Sequence, residues 1–209
     1  MKTLIVCMIC IFALSTFAAT PRKVGEIGIK RWKDTLVDQK KTPGQKIKAD
    51  VCLQIIEKKI EINSFGDLKK ICDENIAKYQ GLKAEYAYAV IAVELYKHEP
   101  SICGKEFFDI CKRNGYEGVA YTAIVAMKND ADKFDKCVEF LPMARIGRAK
   151  QTTFLKLIDS FIKLCPSMEE SKAKAALKLL NRQYSPYLIS DKTAWEPVIA
   201  KIRTALEAY

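Results

Sequence analysis

EYAYAVIAVELY, residues 85–96, is the most apolar stretch of the chain outside its N-terminus, and a shorter echo, GVAYTAIVAM, follows at residues 118–127. On a helical wheel Tyr86 and Val93 of the first stretch lie on one stripe, and Ile91 continues the apolar surface round the other side. A helix that is apolar most of the way round is buried centrally. The two stretches therefore predict two core helices of an α-helical protein.

The rest of the chain has the same helical character. Apolar residues recur at spacings of three and four, and the alternating β-branched runs of strands are missing. Ser64 and Asn129 are predicted to cap helices, Gly115 to end one, and a long helix is expected over residues 145–164. We expect a compact all-α multi-helix bundle of about eight to ten helices.

The N-terminus predicts secretion. Lys2 supplies a positive charge, an apolar core of 11 residues follows at positions 4–14, and Thr16-Phe17-Ala18 is a small-x-small cleavage signal. This pattern is typical of a secretory signal peptide, and the apolar core is about half the length that a bilayer requires. We therefore expect a signal peptide over residues 1–18, a single all-α domain over 19–209, and an extracellular location.

The cysteine count agrees with that compartment. Cleavage would remove Cys7 and Cys10 and leave an even number of six. In a secreted chain an even number favours three disulfides, whereas a zinc site would need close CxxC-type pairs that this chain lacks. The six expected disulfide cysteines are Cys52, Cys72, Cys103, Cys111, Cys137 and Cys165.

The two apolar stretches are each flanked by cysteines in the same order, which suggests a diverged helical repeat. Chance similarity between two Ala-rich core helices is the alternative. The repeat hypothesis pairs equivalent cysteines and leaves one pair to close the bundle, although six cysteines allow 15 connectivities. The expected bridges on this hypothesis are Cys72–Cys103, Cys111–Cys137 and Cys52–Cys165.

Charge points to anionic partners. The signal peptide contains one Lys and no acidic residue, so the mature chain has 34 Lys and Arg against 25 Asp and Glu, a net charge of +9. Such a surplus favours an anionic partner, such as nucleic acid, a sulfated glycan, an acidic protein surface or lipid head groups. A solvated helix face is the simpler explanation of the same clusters, and no specific nucleic-acid motif is present. The basic surface residues predicted to bind are Arg145, Arg148, Lys150, Lys174, Lys178 and Arg182.

A second hypothesis is that the protein carries a small hydrophobic ligand. Aromatic side chains on and near the apolar helices could line a pocket, although the many small Ala residues favour close helix packing over a cavity. The candidate pocket residues are Tyr86, Tyr96, Phe107 and Tyr121.

Catalysis and cofactors are not expected. His98 is the one histidine in the chain, and it lies where a helix ends. Asp130 begins an acidic cluster, but an EF-hand loop starting there would need Gly and Glu where Asp135 and Leu141 stand. A hydrolase using an unidentified carboxylate pair is the third and weakest hypothesis. We expect a binding protein with no metal or cofactor.

The signal peptide, helical core and basic surface together resemble small secreted salivary or effector proteins of blood-feeding arthropods and parasites. The six cysteines also resemble the insect odorant-binding class, but the Cys-x3-Cys pair of that class is absent, and the closest spacing is Cys103 to Cys111. These resemblances imply a secreted helical protein that modulates a host or carries a ligand, and they transfer no functional residue.

Overall fold

The structure, a computed structural model, describes residues 26–38, 42–58, 60, 62–96 and 100–209. The predicted signal peptide and His98 lie outside the described residues. Within them the chain is helical and contains no strand, which confirms the all-α prediction. Among the described residues, ten helices have at least ten residues each and one more is a single turn. Helices α1 to α11 are Glu26–Val37, Pro43–Glu57, Phe65–Ile76, Ala84–Tyr96, Lys105–Asn114, Glu117–Ala126, Asp130–Phe140, Thr152–Leu164, Glu170–Tyr184, Tyr187–Ser190 and Lys192–Glu207.

Several helix boundaries lie where the sequence places them. The Ser64 hydroxyl accepts a hydrogen bond from the Asp67 amide at 3.1 Å, and the Asn129 side chain accepts one from the Asp132 amide at 3.0 Å. Gly115 ends α5 in the left-handed conformation, with φ of 70°. Because the Asn129 cap leads directly into α7, the acidic residues that follow it belong to an ordinary helix start.

The helix expected over residues 145–164 is shorter in the structure. It begins at Thr152, after a 3-10 turn at Arg148–Lys150. Gly147 precedes that turn with φ of 89°, a left-handed conformation that a right-handed helix cannot contain. The three basic residues between positions 145 and 150 therefore lie on an irregular connection instead of on one helical face.

The helices form two rows. Helices α2, α4, α6 and α8 pack side by side in the first row, and α3, α5 and α7 lie behind them, each between two members of that row. Helices α2, α4 and α6 begin close to one another, because Tyr86 in the first turn of α4 lies against Gly44 in α2 and against Tyr116 before α6. The two apolar stretches, α4 and α6, thus occupy neighbouring and equivalent places, although the sequence repeat itself stays a prediction.

The C-terminal helices close one end of the array. Helix α11 packs against both α8 and α9. In the first turn of α11 the Trp195 ring lies 5.7 Å from Phe154, 4.8 Å from Tyr184 and 4.8 Å from Tyr187, measured between ring centroids. Pro197 lies inside α11, in its second turn, where it lacks the N–H that would otherwise bond to the Thr193 carbonyl. This aromatic cluster joins the last third of the chain to the first row.

Candidate functional site

Half of the predicted basic residues are engaged within the protein. The Arg148 guanidinium lies 3.5 Å from a carboxylate oxygen of Glu117, and the Lys150 ammonium lies 3.0 Å from Asp191. The Lys174 ammonium donates to the Tyr209 carbonyl at 2.7 Å. These three cations stabilise connections between segments, so their charges are partly neutralised before any ligand arrives.

The other three basic residues point into solvent. Lys178 and Arg182 are exposed on α9 one turn apart, and Arg145 is exposed on the connection before α8. Within the part of the chain that the structure describes, none of them has an ion-pair partner. The segment that carries Arg145 is held near the end of α9, because the Tyr184 hydroxyl donates to the Leu141 carbonyl at 2.6 Å.

The ion pair between Glu117 and Arg148 was not predicted. Glu117 is only 5% exposed, at the start of α6, where the helix N-terminus favours its negative charge. Arg148 is about 30 residues away in sequence and reaches it because α6 and α8 pack together. Helical periodicity carries no signal for such a contact, since Glu117 looks like an ordinary first-turn acid.

The four candidate pocket residues have different environments. Phe107 and Tyr121 are fully buried, Tyr96 is nearly so, and the Tyr121 hydroxyl donates to the Phe140 carbonyl at 3.4 Å. Burial raises the pKa of the Tyr121 hydroxyl, and the nearby Glu117 carboxylate raises it further. Tyr86 differs, since it is 36% exposed. The structure thus places three of the four in the packed core and one at the surface.

The expected disulfides are not formed in the structure. Cys72, Cys103, Cys111, Cys137 and Cys165 are free thiols. Each expected bridge includes at least one of them, so none of the bridges Cys72–Cys103, Cys111–Cys137 and Cys52–Cys165 is present. All six side chains are buried, and burial raises the pKa of Cys72, Cys111 and Cys137 to about 12 and that of Cys165 to about 11. Thiols with such high pKa values are poor nucleophiles, which indicates a structural role.

Two of these cysteines lie close to each other. Cys103 is near enough to Cys111 for a charge on Cys111 to add to burial in raising the pKa of Cys103.

A groove opens on the first row between α2, α4 and α6. It has a volume of about 260 Å³. Its lining mixes apolar and polar side chains, and it includes Tyr86 and a half-buried ion pair between Lys48 and Glu94, 3.1 Å apart. The lining residues are Thr42, Gly44, Gln45, Lys48, Tyr86, Val90, Val93, Glu94, Gly118, Val119 and Thr122.

A second groove of about 540 Å³ lies between α8 and α11. Ile162, Ala200 and Ala205 form its apolar part. Lys201 at its rim is paired with Asp159 at 2.6 Å. This groove is lined by residues of the C-terminal third of the chain, whereas the first lies on the apolar helices.

In the described part of the chain, no group of three His, Cys, Asp or Glu side chains is arranged to hold a metal ion. Among the same residues, no helix is both long enough and apolar enough to cross a membrane. A scan against protein-family models found no match, and searches of the curated proteins and of the solved structures found none either.

Proposed function

We propose that this chain is a secreted, non-enzymatic binding protein whose basic C-terminal helices engage a sulfated glycan. The observation that carries this proposal is the distribution of charge. Residues 144–209 contain twelve Lys and Arg against six Asp and Glu, a net charge of +6, whereas residues 19–143 contain 22 against 19, a net charge of +3. Two thirds of the excess charge is therefore concentrated in one third of the chain.

Lys178 and Arg182 are the central residues of this proposal. They are exposed one turn apart on α9, and the opposite side of that helix is buried through Leu177, Leu180 and Tyr184. A rigid helix that holds two cations in a row can follow a polyanion at little entropic cost. Because Arg148, Lys150 and Lys174 already have partners, we expect them to contribute less to binding.

The test is binding to heparin over a range of salt concentrations. We expect affinity to fall steeply from low to moderate salt, because bound cations release counterions from the polyanion. Replacing Lys178 and Arg182 together with Gln should weaken binding and reduce the log–log salt slope by roughly 0.7–0.9 for each lost contact. A matched control replaces the exposed Lys70 and Lys105 with Gln, which removes the same charge elsewhere.

Two outcomes would contradict the proposal. Binding that is indifferent to salt would remove its electrostatic basis. An equal loss of affinity in both double variants would show that net charge alone, and not the α9 surface, attracts heparin. Salt-sensitive binding to an acidic protein surface without binding to heparin would instead assign the surface to a protein partner.

We also propose that the protein is secreted and that its six cysteines are oxidised after residues 1–18 are removed. The support is the signal-peptide pattern and the even cysteine number. In addition, Lys69 pairs with Glu106 at 2.6 Å and Lys112 with Glu139 at 3.4 Å, so the segments carrying Cys72 and Cys103, and those carrying Cys111 and Cys137, lie beside each other. Each bridge would form by exchange with an oxidised dithiol of the secretory pathway, which accepts two electrons.

Mass spectrometry of the protein secreted from eukaryotic cells tests this compartment. We expect a mature chain that begins near Ala19, has lost six hydrogen atoms, and reacts with a thiol reagent only after reduction and unfolding. A non-reducing peptide map would then identify the pairs, and a Cys72–Cys111 bridge would exclude the repeat. A retained N-terminus, or six thiols that react on unfolding without reduction, would contradict secretion with disulfides.

A further inference from the structure

Two isoleucines are exposed on segments that contact each other in the C-terminal part of the chain. Ile189 on α10 is 93% exposed, and Ile146 on the connection before α8 is 59% exposed. Among the described residues they are two of four exposed large apolar side chains, and the other two are Val37 and Tyr86. Isoleucine is one of the residue types most often found fully buried. Exposed apolar residues scattered singly are common, but a pair on neighbouring segments indicates an interaction site.

Two contacts hold these segments together on either side of the isoleucines. The Tyr187 hydroxyl donates to the Ala144 carbonyl at 3.3 Å, and the Lys150 ammonium lies 3.0 Å from the Asp191 carboxylate. The first contact precedes each isoleucine by two residues, and the second follows them by four and two residues. The two exposed side chains therefore belong to one region of the surface.

The backbone that carries each isoleucine is fixed by the fold. The Arg148 amide donates to the Arg145 carbonyl at 3.1 Å and closes a four-residue turn, with Gly147 in its third place at φ of 89°. A positive φ at that place is typical of a type II turn, and the isoleucine occupies the place before it. Helix α10 is held through Tyr187, whose ring packs against Trp195. Because both segments are held in advance, binding through them costs little conformational entropy.

The charged residues on the two segments are mostly basic. Residues 144–151 and 186–192 contain four Lys and Arg against one Asp, which is already paired with a lysine. Arg145 directly precedes one isoleucine, and it has no ion-pair partner in the part of the chain that the structure describes. Lys192 follows the other by three residues, and its 3.9 Å contact with Glu196 joins two exposed groups, so its ammonium stays available. Each exposed isoleucine thus has an available cation near it in the chain.

Aliphatic side chains beside cations complement an anionic membrane surface. Apolar groups enter the boundary between head groups and acyl chains, while Lys and Arg lie against the anionic head groups. One such contribution alone gives marginal binding, and two together give stable attachment. A sulfated glycan, in contrast, offers no apolar layer that would take the isoleucines out of water.

We propose that Ile146 and Ile189, together with Arg145 and Lys192, form a surface that attaches reversibly to membranes containing anionic lipids. This attachment needs none of the exposed cations of α9. Because replacing the isoleucines changes no charge, it should weaken lipid binding and leave heparin binding unchanged. The lipid proposal and the glycan proposal can therefore fail separately.

Co-sedimentation of the purified protein with lipid vesicles tests the surface. Vesicles of phosphatidylcholine alone are compared with vesicles of equal parts phosphatidylcholine and phosphatidylserine. We expect affinity for the mixed vesicles to be at least about tenfold higher, because each cation near an anionic surface contributes to binding. This difference should shrink as the salt concentration rises, since salt screens exposed charges.

Single variants separate the isoleucines from net charge. Ile146→Ser and Ile189→Ser should each lower affinity for the mixed vesicles at least about fivefold, because less apolar surface leaves water. Val37→Ser is the matched control, since Val37 is 81% exposed on α1, and it should leave affinity unchanged. All three positions are exposed, so the melting temperature should not change.

A tryptophan at the same position reports insertion directly. Ile189→Trp should keep vesicle binding, because Trp is favoured at the membrane–water interface. The emission of the added Trp should move to shorter wavelength when mixed vesicles are added, since it leaves water. Val37→Trp is the control, and its emission should not change.

Three results would overturn the proposal. Equal affinity for vesicles with and without phosphatidylserine would show that the cations have no role. Equal vesicle binding by Ile146→Ser, Ile189→Ser and Val37→Ser would show that the isoleucines do not enter the membrane. Absence of vesicle binding at low salt would exclude a lipid partner and leave the isoleucines as a contact for a protein.

Discussion

Replacing Trp195 with Ala is expected to lower the free energy of unfolding by about 3–5 kcal/mol, because this large fully buried side chain fills the centre of the C-terminal aromatic cluster. Its ring contacts Phe154 of α8, Tyr184 of α9 and Tyr187 of α10. Removing it leaves a cavity bordered by helices that cannot all move inward. The loss should appear in urea unfolding and as a fall in melting temperature of roughly 10 °C.

Two further variants make this prediction specific. The Trp195 indole nitrogen is a buried donor without a partner in the described structure, so Trp195→Phe loses volume but no hydrogen bond. We expect its cost to be well below that of Trp195→Ala. Ile189→Ala, at a position 93% exposed on neighbouring α10, should change stability by less than about 0.5 kcal/mol. A loss below about 1 kcal/mol in Trp195→Ala would contradict the cluster as a structural centre.

Replacing Arg148 with Met is expected to lower the free energy of unfolding by about 2–3 kcal/mol. Glu117 would then remain buried at 5% exposure without the guanidinium that now lies 3.5 Å away. Breaking one partner of a buried pair costs about 3–5 kcal/mol, and we place this pair lower because Arg148 is itself 29% exposed. Urea unfolding at neutral pH measures the loss.

Arg145→Met is the matched control, since it removes the same charge three residues earlier, at an exposed position. It should change stability by less than about 0.5 kcal/mol. Adding Glu117→Gln to Arg148→Met should restore part of the lost stability, because the uncompensated charge disappears. Equal effects of Arg145→Met and Arg148→Met, or no restoration in the double variant, would show that the ion pair has no structural role.

These two arginines illustrate how far sequence reasoning extends to the candidate site. Spacing alone grouped Arg145 with Arg148 as one basic cluster on a helix. In the structure Gly147 breaks that helix, Arg145 faces solvent, and Arg148 turns to a carboxylate on α6. The packing of α6 against α8 brings Arg148 to Glu117, where it stabilises the fold, and leaves Arg145 available to a ligand. The sequence alone does not distinguish these two roles.

The grooves were equally inaccessible to sequence reasoning. The candidate pocket residues are Tyr86, Tyr96, Phe107 and Tyr121. All four are aromatic and lie on or near the apolar helices, but three of them point into the core. The first groove is lined by Gly44 and Gly118, whose missing side chains are visible in the sequence but whose neighbours are not. The distance between a glycine on one helix and a tyrosine on another is set only when the helices pack together.

The sequence by itself determined the all-α class and the helix ends at Ser64, Asn129 and Gly115, because these depend on interactions between residues a few positions apart. It also determined that the stretch at residues 85–96 is a helix in the apolar centre of the array. Only the tertiary structure decided which of its side chains are buried in the core and which, such as Tyr86 at 36% exposure, are not, because periodicity records that a surface is apolar and not what packs against it. The same is true of Glu117 and Arg148, since contacts between distant segments arise only when the rows assemble.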